Sequence, residues 1–435
     1  MTIPSPILDA GLWASAPAGY RKAPFPAFGG KSRVAAEVWA RLGHVRNYVE
    51  PFCFSAAMLW KRPVVGAIET INDRNAFVAN FWRAVRNDPD AVAHHADWPV
   101  NESDLHARHR WLVGSDAAAA KLELVREDPE AFDAKIAGWW CWGACCWIGS
   151  GWCDESGSSN SCELAQPPGT KRTLTGVATG GGNGVHRVQS DPLPAKLPHM
   201  DAAGRGVQWT PNQLRHMDAA GKPTPKRCKL SGNGVGVGVH TGGPDDTHRP
   251  QLADEFARGR GVNGHDAASA CDTRSAWIRA WMRALSYRLR PVRVCCGHWD
   301  RVCDSPSTMT RLGTTGVFLD PPYRTHLADG TSNRTRHIYA NDRHQDVNAL
   351  CDEVQSWCLR WGTDPEVRIG LCGLEGEYPA IDELVKRGEW TEHAWKSNGG
   401  YGNRKGSAEN VNARRERVWF SPACARPGHG GGLFA

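Results

Sequence analysis

No unbroken run of apolar side chains in this 435-residue chain approaches the roughly 18 that a membrane-spanning helix needs. The start, MTIPSPILDAGLWASAPAGYRKAP, lacks the basic end and apolar core of a secretory signal, so a cytoplasmic protein without a membrane partner is expected. The 15 cysteines include no C-x2-C pair, which argues against a tetrahedral zinc site and for a protein with no metal. Without an export signal they read as reduced thiols rather than disulfide staples. No nucleophile triad stands out either. What the chain does have is 41% hydrophobic residues and 20 tryptophans, enough for a sizeable core.

Net charge is +6, and its placement says more than its size. Between Gln166 and His265 there are 13 basic and 7 acidic side chains, while the remainder balances at 39 of each sign. A neutral body with a basic, glycine-rich insert suits a polyanion, because Lys and Arg displace counterions from phosphates. On charge alone, a solvated linker that happens to be basic fits as well.

Periodicity divides the chain into three. From Pro24 to Arg86 the pattern is helix, strand, strand, helix: KSRVAAEVWARL carries a stripe through Val34, Val38 and Leu42, NYVEPF and VVGAIETIND read as buried strands, and AFVANFWRAV is helical. From Pro89 to Glu163 helical patterns dominate around AGWWCWGACCWIGSGW, where Cys141, Cys145, Cys146, Cys153 and Cys162 read as helical core. Residues 164–270 are rich in Gly, Pro, Asn and Asp, with HMDAAG at His199–Gly204 repeated at His216–Gly221. Two copies do not make a solenoid, and a connection this long is expected to be functional or disordered. The literal G-x-G-x-x-G at Gly259, Gly261 and Gly264 follows a helical pattern rather than a strand and is a chance match. Strand-helix alternation then resumes with SAWIRAWMRALSYRL (Trp277, Trp281 and Leu285 on one face), VRVCC, GVFLDPPY, VNALCDEVQSWCLRW, VRIGLCG and RERVWFS. The expected fold is one α/β domain split by a helical and irregular insertion.

The strongest chemical signal is Asp320-Pro321-Pro322-Tyr323 directly after the apolar GVFL. At a strand's carboxyl end these residues supply a carboxylate, a rigid backbone carbonyl and a ring face on the edge where α/β sheets bind ligands. The parts suit a planar exocyclic amine. Asp320 and the Pro321 carbonyl can accept its two hydrogens, and Tyr323 can stack on the base; an ordinary proline turn is the plainer reading. Upstream, Asp73 ends the strand of Glu69-Thr-Ile-Asn-Asp73, where a carboxylate can chelate a ribose diol or cap the next helix.

The tetrad and its upstream segments resemble the Dam-like DNA adenine-N6 methyltransferases, particularly phage and prophage members. Phe28-Gly29-Gly30-Lys31 is similar to that family's opening motif, in which glycines admit S-adenosylmethionine and the lysine helps hold it. Glu50, Pro51 and Phe52 match its cofactor-binding strand and turn, and Asp73 is then the ribose ligand. The resemblance implies a Rossmann-like S-adenosylmethionine-dependent methyltransferase sheet interrupted by a helical and Gly-rich insertion. Its divisions are an N-terminal extension over 1–23, the catalytic domain over 24–88 and 271–422, a helical target-recognition subdomain over 89–163, a mobile basic insertion over 164–270 and a tail over 423–435. The implied cofactor-binding residues are Phe28, Gly29, Gly30, Lys31, Glu50, Pro51, Phe52, Asp73 and Asp320, and the catalytic ones are the four of the tetrad.

Two positions depart from the family. Phe54 stands where the turn normally carries glycine, and a bulky side chain disfavours both positive φ and close approach of a cofactor. His298 stands where an aspartate usually follows the glycine after the strand VRVCC, and Asp300 lies close by. The expected activity is methyl transfer from S-adenosylmethionine to N6 of a flipped adenine in double-stranded DNA, by a monomer in a bacterial or phage-infected cytoplasm, with a restriction endonuclease as a further partner. Cytosine N4, RNA guanine and an inactive DNA-binding homologue are the alternatives. Asp320, outside the apolar run, is expected to matter little for folding.

Overall fold

The structure, a computed structural model, describes residues 13, 18–27, 30–63, 67–147, 152–153, 199–200, 207–208, 262, 274–327, 330–333, 346–396 and 414–426, with 199–200 and 207–208 known by backbone alone. The chain divides into two units, Met1–Gly169 with Asp254–Ala435, and Thr170–Ala253. Strands β1 (Asn47–Glu50) and β2 (Ile68–Asp73) open the first unit. The second unit holds the antiparallel pair β3 (His199–Met200) and β4 (Val207–Gln208). Strands β5 (Val292–Cys296), β6 (Thr315–Leu319), β7 (Val367–Leu374), β8 (Thr391–Ala394) and β9 (Glu416–Phe420) complete the first unit.

These seven strands of the first unit form one mixed sheet in the order β5-β2-β1-β6-β7-β9-β8. The five from β5 to β7 are parallel, and β9 lies antiparallel to both β7 and β8. The parallel part has the doubly wound order 3-2-1-4-5, and a reversed hairpin stands where a sixth parallel strand would follow. The architecture is α/β and compatible with a Rossmann-like fold. Strand order reverses between β1 and β6, and ligands of open α/β sheets bind at the carboxyl ends of the strands at such a point.

Side-chain alternation explains why both faces are covered. Tyr48, Phe318, Cys372, Val418 and Phe420 join one apolar cluster, whereas Val49, Val317, Leu319, Ile369, Leu371 and Trp419 join the other. The first cluster takes up α1 (Ala35–Leu42), α2 (Ala57–Lys61) and α3 (Ala76–Asn87). It also takes up α4 (Pro89–Ala96), α5 (Glu102–Gly114), α6 (Asp116–Glu127), α7 (Ala134–Cys146) and α8 (Arg274–Leu289). The second takes up α9 (Val347–Trp361) and α10 (Pro379–Lys386). Among the described residues no helix is long and apolar enough to cross a membrane.

Helices α4 to α7 occupy the stretch read as helical. Gly138 lets α7 approach α4 closely, because a Cβ there would come within 2.4 Å of the His95 Cβ and 2.8 Å of the Val92 carbonyl. Cys141 and Cys153 are buried and Cys145 and Cys146 half-buried. Cys162 lies outside the described residues, as do the glycines at 259, 261 and 264 and nearly all of 164–270. Within that stretch Val262 is fully buried and donates its N–H to the Pro24 carbonyl at 2.9 Å.

Helix α8, which follows the stretch, is anchored by charge. Arg288 donates twice to the Glu69 carboxylate of β2, at 2.5 and 2.7 Å, and Arg62 donates to it at 2.9 Å, all three being buried. Removing one member would strand an uncompensated charge. Neither α10 nor β8 is apparent in the sequence. The β8 segment Thr-Glu-His-Ala is a polar edge strand without an apolar run.

Candidate active site

Four parallel strands deliver their carboxyl ends to one edge: β1 ends at Glu50, β2 at Asp73, β5 just before Gly297, and β6 just before Asp320. The loops there are stapled by Asn72, whose side-chain amide donates to the Pro51 carbonyl at 3.0 Å and the Gly297 carbonyl at 3.1 Å. Nothing in the sequence singles out Asn72, since a polar residue late in a strand carries no signal of what it spans.

Lys31 lies in a short 3-10 turn, Lys31–Arg33, before α1. Its Nζ pairs with Asp320 Oδ1 at 2.9 Å, 5.1 Å from the Tyr323 ring centroid and 6.0 Å from that of Trp395. Burial works against the ammonium, but Asp320, joined by Cys372 and Glu416, outweighs it and holds the lysine above its ordinary pKa. Burial pushes Asp320 above the usual carboxylate range, opposed by Lys31 and by the Tyr323 hydroxyl, although a quarter of its side chain is exposed. This pairing corrects the expectation that Asp320 matters little for folding, because a 5% exposed Lys31 depends on it. Phe28 and Gly29 lie outside the described residues. Gly30 adopts φ −51°, and a Cβ there would meet nothing nearer than 3.5 Å, so the fold itself does not demand glycine.

The rest of the tetrad is held from below. Pro321 and Tyr323 are buried and Pro322 half-buried, with the Pro322 carbonyl accepting from the Cys351 thiol at 3.3 Å. Arg324 clamps the following turn: its N–H donates to the Glu377 side chain, its Nε to the Glu377 carbonyl at 2.9 Å, and its guanidinium to Asp352. The Tyr323 hydroxyl donates to Glu416 Oε2 on β9 at 2.8 Å. Glu416, which the sequence reading misses, shares the inward face of β9 with Val418 and Phe420. An acid phased with two apolar residues on a strand is the signal that could have found it.

Glu50 is buried and accepts from the Tyr48 hydroxyl at 3.1 Å and the Leu59 N–H at 3.3 Å. Burial raises its pKa to about 8; those two hydrogen bonds pull it down and Asp320 pushes it further up. Phe52, half-buried, stacks on Trp299 with centroids 5.8 Å apart. Phe54 has φ 34°, so the turn keeps the conformation that favours glycine although its residue is bulky. Three contacts hold it there: its N–H donates to Asp73 Oδ2 at 3.0 Å, its carbonyl accepts from Trp82 Nε1 at 2.8 Å, and its ring meets Phe25 edge-on at 5.6 Å.

Asp73 Oδ1 accepts from the Asn75 N–H at 2.8 Å. The cap of α3 is Asn75, whose side chain accepts from the Phe77 N–H at 2.9 Å, so Asp73 is not needed as the cap. His298 Nδ1 lies 2.7 Å from Asp300 Oδ1, and Nε2 lies 3.9 Å from Glu353 Oε2. Among the described residues no group of three or more His, Cys, Asp or Glu could hold a metal ion.

The tryptophans of the helical region mostly pack. Trp140 and Trp142 are buried, and Arg108 lies 4.4 to 5.0 Å from the ring centroids of Trp98, Trp139 and Trp142, with Trp98 exposed. Phe25 joins this region to the turn at Phe54, since its ring is 4.9 Å from that of Trp140 on α7.

The site therefore sets two carboxyls, Asp320 and Glu416, against the Lys31 ammonium, with a third, Glu50, within electrostatic reach of Asp320, in surroundings that burial makes unfavourable for negative charge. A surplus of carboxyl groups over ammonium favours a cationic ligand. No protein-family model matches this chain, and no curated protein matches it.

Proposed function

We propose that the protein is an S-adenosylmethionine-dependent methyltransferase acting on N6 of an adenine flipped out of double-stranded DNA. The observation that carries the reading is the Lys31–Asp320 pair against the Tyr323 ring at the exit of β6, where strand order reverses. The surplus of carboxyls fits a cofactor bearing a sulfonium and an ammonium. Glu50, Pro51, Phe52, Asp73 and Lys31 would hold it, Asp73 from the end of β2 with a carboxylate suited to a ribose diol. When bound, the cofactor supplies a methyl group on a positively charged sulfur, open to direct displacement by a nitrogen lone pair. A seven-stranded sheet with a reversed hairpin beyond its parallel strands is compatible with the methyltransferase sheet that the resemblance implies.

A base within a duplex cannot present its amino group at such a site, so the target has to be flipped. Tyr323 then stacks on the base, and Asp320 with the Pro321 carbonyl accepts the two amino hydrogens, turning the lone pair outward. As the nitrogen gains positive charge, Asp320 stabilises it and is placed to accept its proton. Lys31 keeps Asp320 oriented. The helical segment and the basic insertion would track the DNA backbone. The protein would work as a monomer in the cytoplasm, with or without a restriction endonuclease beside it.

Expression in a methylation-free host, followed by base-resolved sequencing of modified DNA, tests this. N6-methyladenine at a defined site is the expected result. N4-methylcytosine or a modified RNA guanine would keep the reaction and move the target. DNA binding with no affinity for S-adenosylmethionine would make the protein an inactive homologue.

A further inference from the structure

We infer that Glu416 is a positioning residue of this transfer, taking the Tyr323 hydroxyl hydrogen and so setting the ring on which the target base stacks. The inference rests on the methyltransferase reading. It starts from strand direction. Because β9 runs against β7, with Glu416 opposite Leu374, its first residue lies where the parallel strands end. A parallel strand would have delivered its last residue there instead. The phase of β9 turns Glu416 inward with Val418 and Phe420, burying a carboxylate that must then find a donor. Tyr323 provides it at 2.8 Å, with the Lys31 ammonium also facing the carboxylate.

The neighbours of Glu416 hold the strand in place. Arg417 pairs with Glu375 at 2.7 Å and Glu392 at 2.8 Å, and Arg415 donates to the Asn333 side-chain oxygen at 2.7 Å and the Glu375 carbonyl at 2.9 Å. Rotation or withdrawal of Glu416 is thereby resisted on both sides.

Two consequences bear on the chemistry. The Tyr323 hydroxyl has one hydrogen, and Asp320 also faces that hydroxyl. By taking the hydrogen, Glu416 leaves Asp320 to accept from the target amine. A phenol that donates to a carboxylate also has a more electron-rich ring face, which better supports a stacked base gaining positive charge.

The test compares E416Q, E416A, Y323F and the double variant Y323F/E416A, with kcat, KM for DNA and equilibrium binding of S-adenosylmethionine measured for each. E416A and Y323F are each expected to lower kcat about tenfold, the size of one charge-assisted hydrogen bond, with KM and cofactor affinity within about twofold of the parent. E416Q, which keeps an acceptor and the side-chain shape, should recover part of the loss and covers the case in which E416A does not fold. The double variant should be no slower than the slower single, because both remove one interaction. Multiplied effects in the double variant, or an unchanged kcat in E416A or Y323F, would overturn the inference alone. A parent with no methyl transfer removes the methyltransferase reading and this inference with it.

Discussion

The main-chain N–H of Phe54 donates to the Asp73 carboxylate at 3.0 Å while Phe54 itself sits at φ 34°. The end of β2 thus pins the turn after β1 in a left-handed conformation that a phenylalanine adopts at a cost of about 1–2 kcal/mol. Hydrogen bonds and ring packing offset the strain.

Phe54→Gly should therefore change stability by less than about 1 kcal/mol, relief of strain being balanced by removal of the edge-on packing with Phe25 and by glycine's backbone entropy. Affinity for S-adenosylmethionine should be unchanged or tighter. Phe54→Val should cost about 1–2 kcal/mol, since β-branched residues tolerate positive φ poorly. Denaturant unfolding and calorimetric titration check both. A marked loss of affinity in the glycine variant would show that the ring itself contacts the ligand.

Asp320→Asn should lower methyl transfer by about 100-fold or more while keeping the side-chain shape. Both Asp320→Asn and Asp320→Ala should also lose about 1–3 kcal/mol of stability, because in each the buried Lys31 ammonium loses its nearest carboxylate. Turnover within a few-fold of the parent in the asparagine variant would remove Asp320 from the chemistry. Stability of both variants equal to the parent's would show that the pair does not support the fold.

The proposed contact of Glu50 with the cofactor should make binding depend on pH. In the free protein it loses its proton at about 8, and a bound cation favours the ionised form, so binding expels a proton below that pH. Affinity for S-adenosylmethionine should therefore rise with pH and level off above about 8. Stability moves the other way. The folded-state pKa lies above the ordinary 4.5, so the folded protein holds more protons between the two values and its advantage is lost as pH climbs through about 8. Glu377, raised by burial to about 7, adds to the same decline. Glu50→Gln should flatten the affinity profile and leave part of the stability decline. An unaltered affinity profile in that variant would assign the titration elsewhere.

The basic insertion can be tested without disturbing the core if the exchange avoids Val262. Replacing residues 170–253, which carry 11 basic and 5 acidic side chains, by a short Gly-Ser linker should leave cofactor binding and thermal stability nearly unchanged. DNA affinity should fall, and the slope of log K against log salt should drop by about 0.9 for each phosphate that is no longer neutralised. An unchanged slope would make the segment a passive linker and leave DNA binding to α4 through α7. Unfolding would show that it packs against the body.

Much of the fold is legible in the chain because burial on a strand or helix is a local, periodic property. TGVFL, buried at every position, and VRIGLCG, buried at all but one, read as strands shielded on both faces, and the tetrad announces itself by following the first of them. Lys31, Glu50, Asp73 and Asp320 are legible too, since each follows or precedes a recognisable element. What local pattern does not carry is strand order and direction. Only the tertiary fold sets β1 beside β6, so that Lys31 meets Asp320, and reverses β9, so that Glu416 meets a hydroxyl 93 residues away. The same holds for the pKa of Glu50 and the φ of Phe54. Both depend on how much surrounding chain closes over them and which donors it brings, quantities that arise when distant segments pack rather than from the residues that carry them.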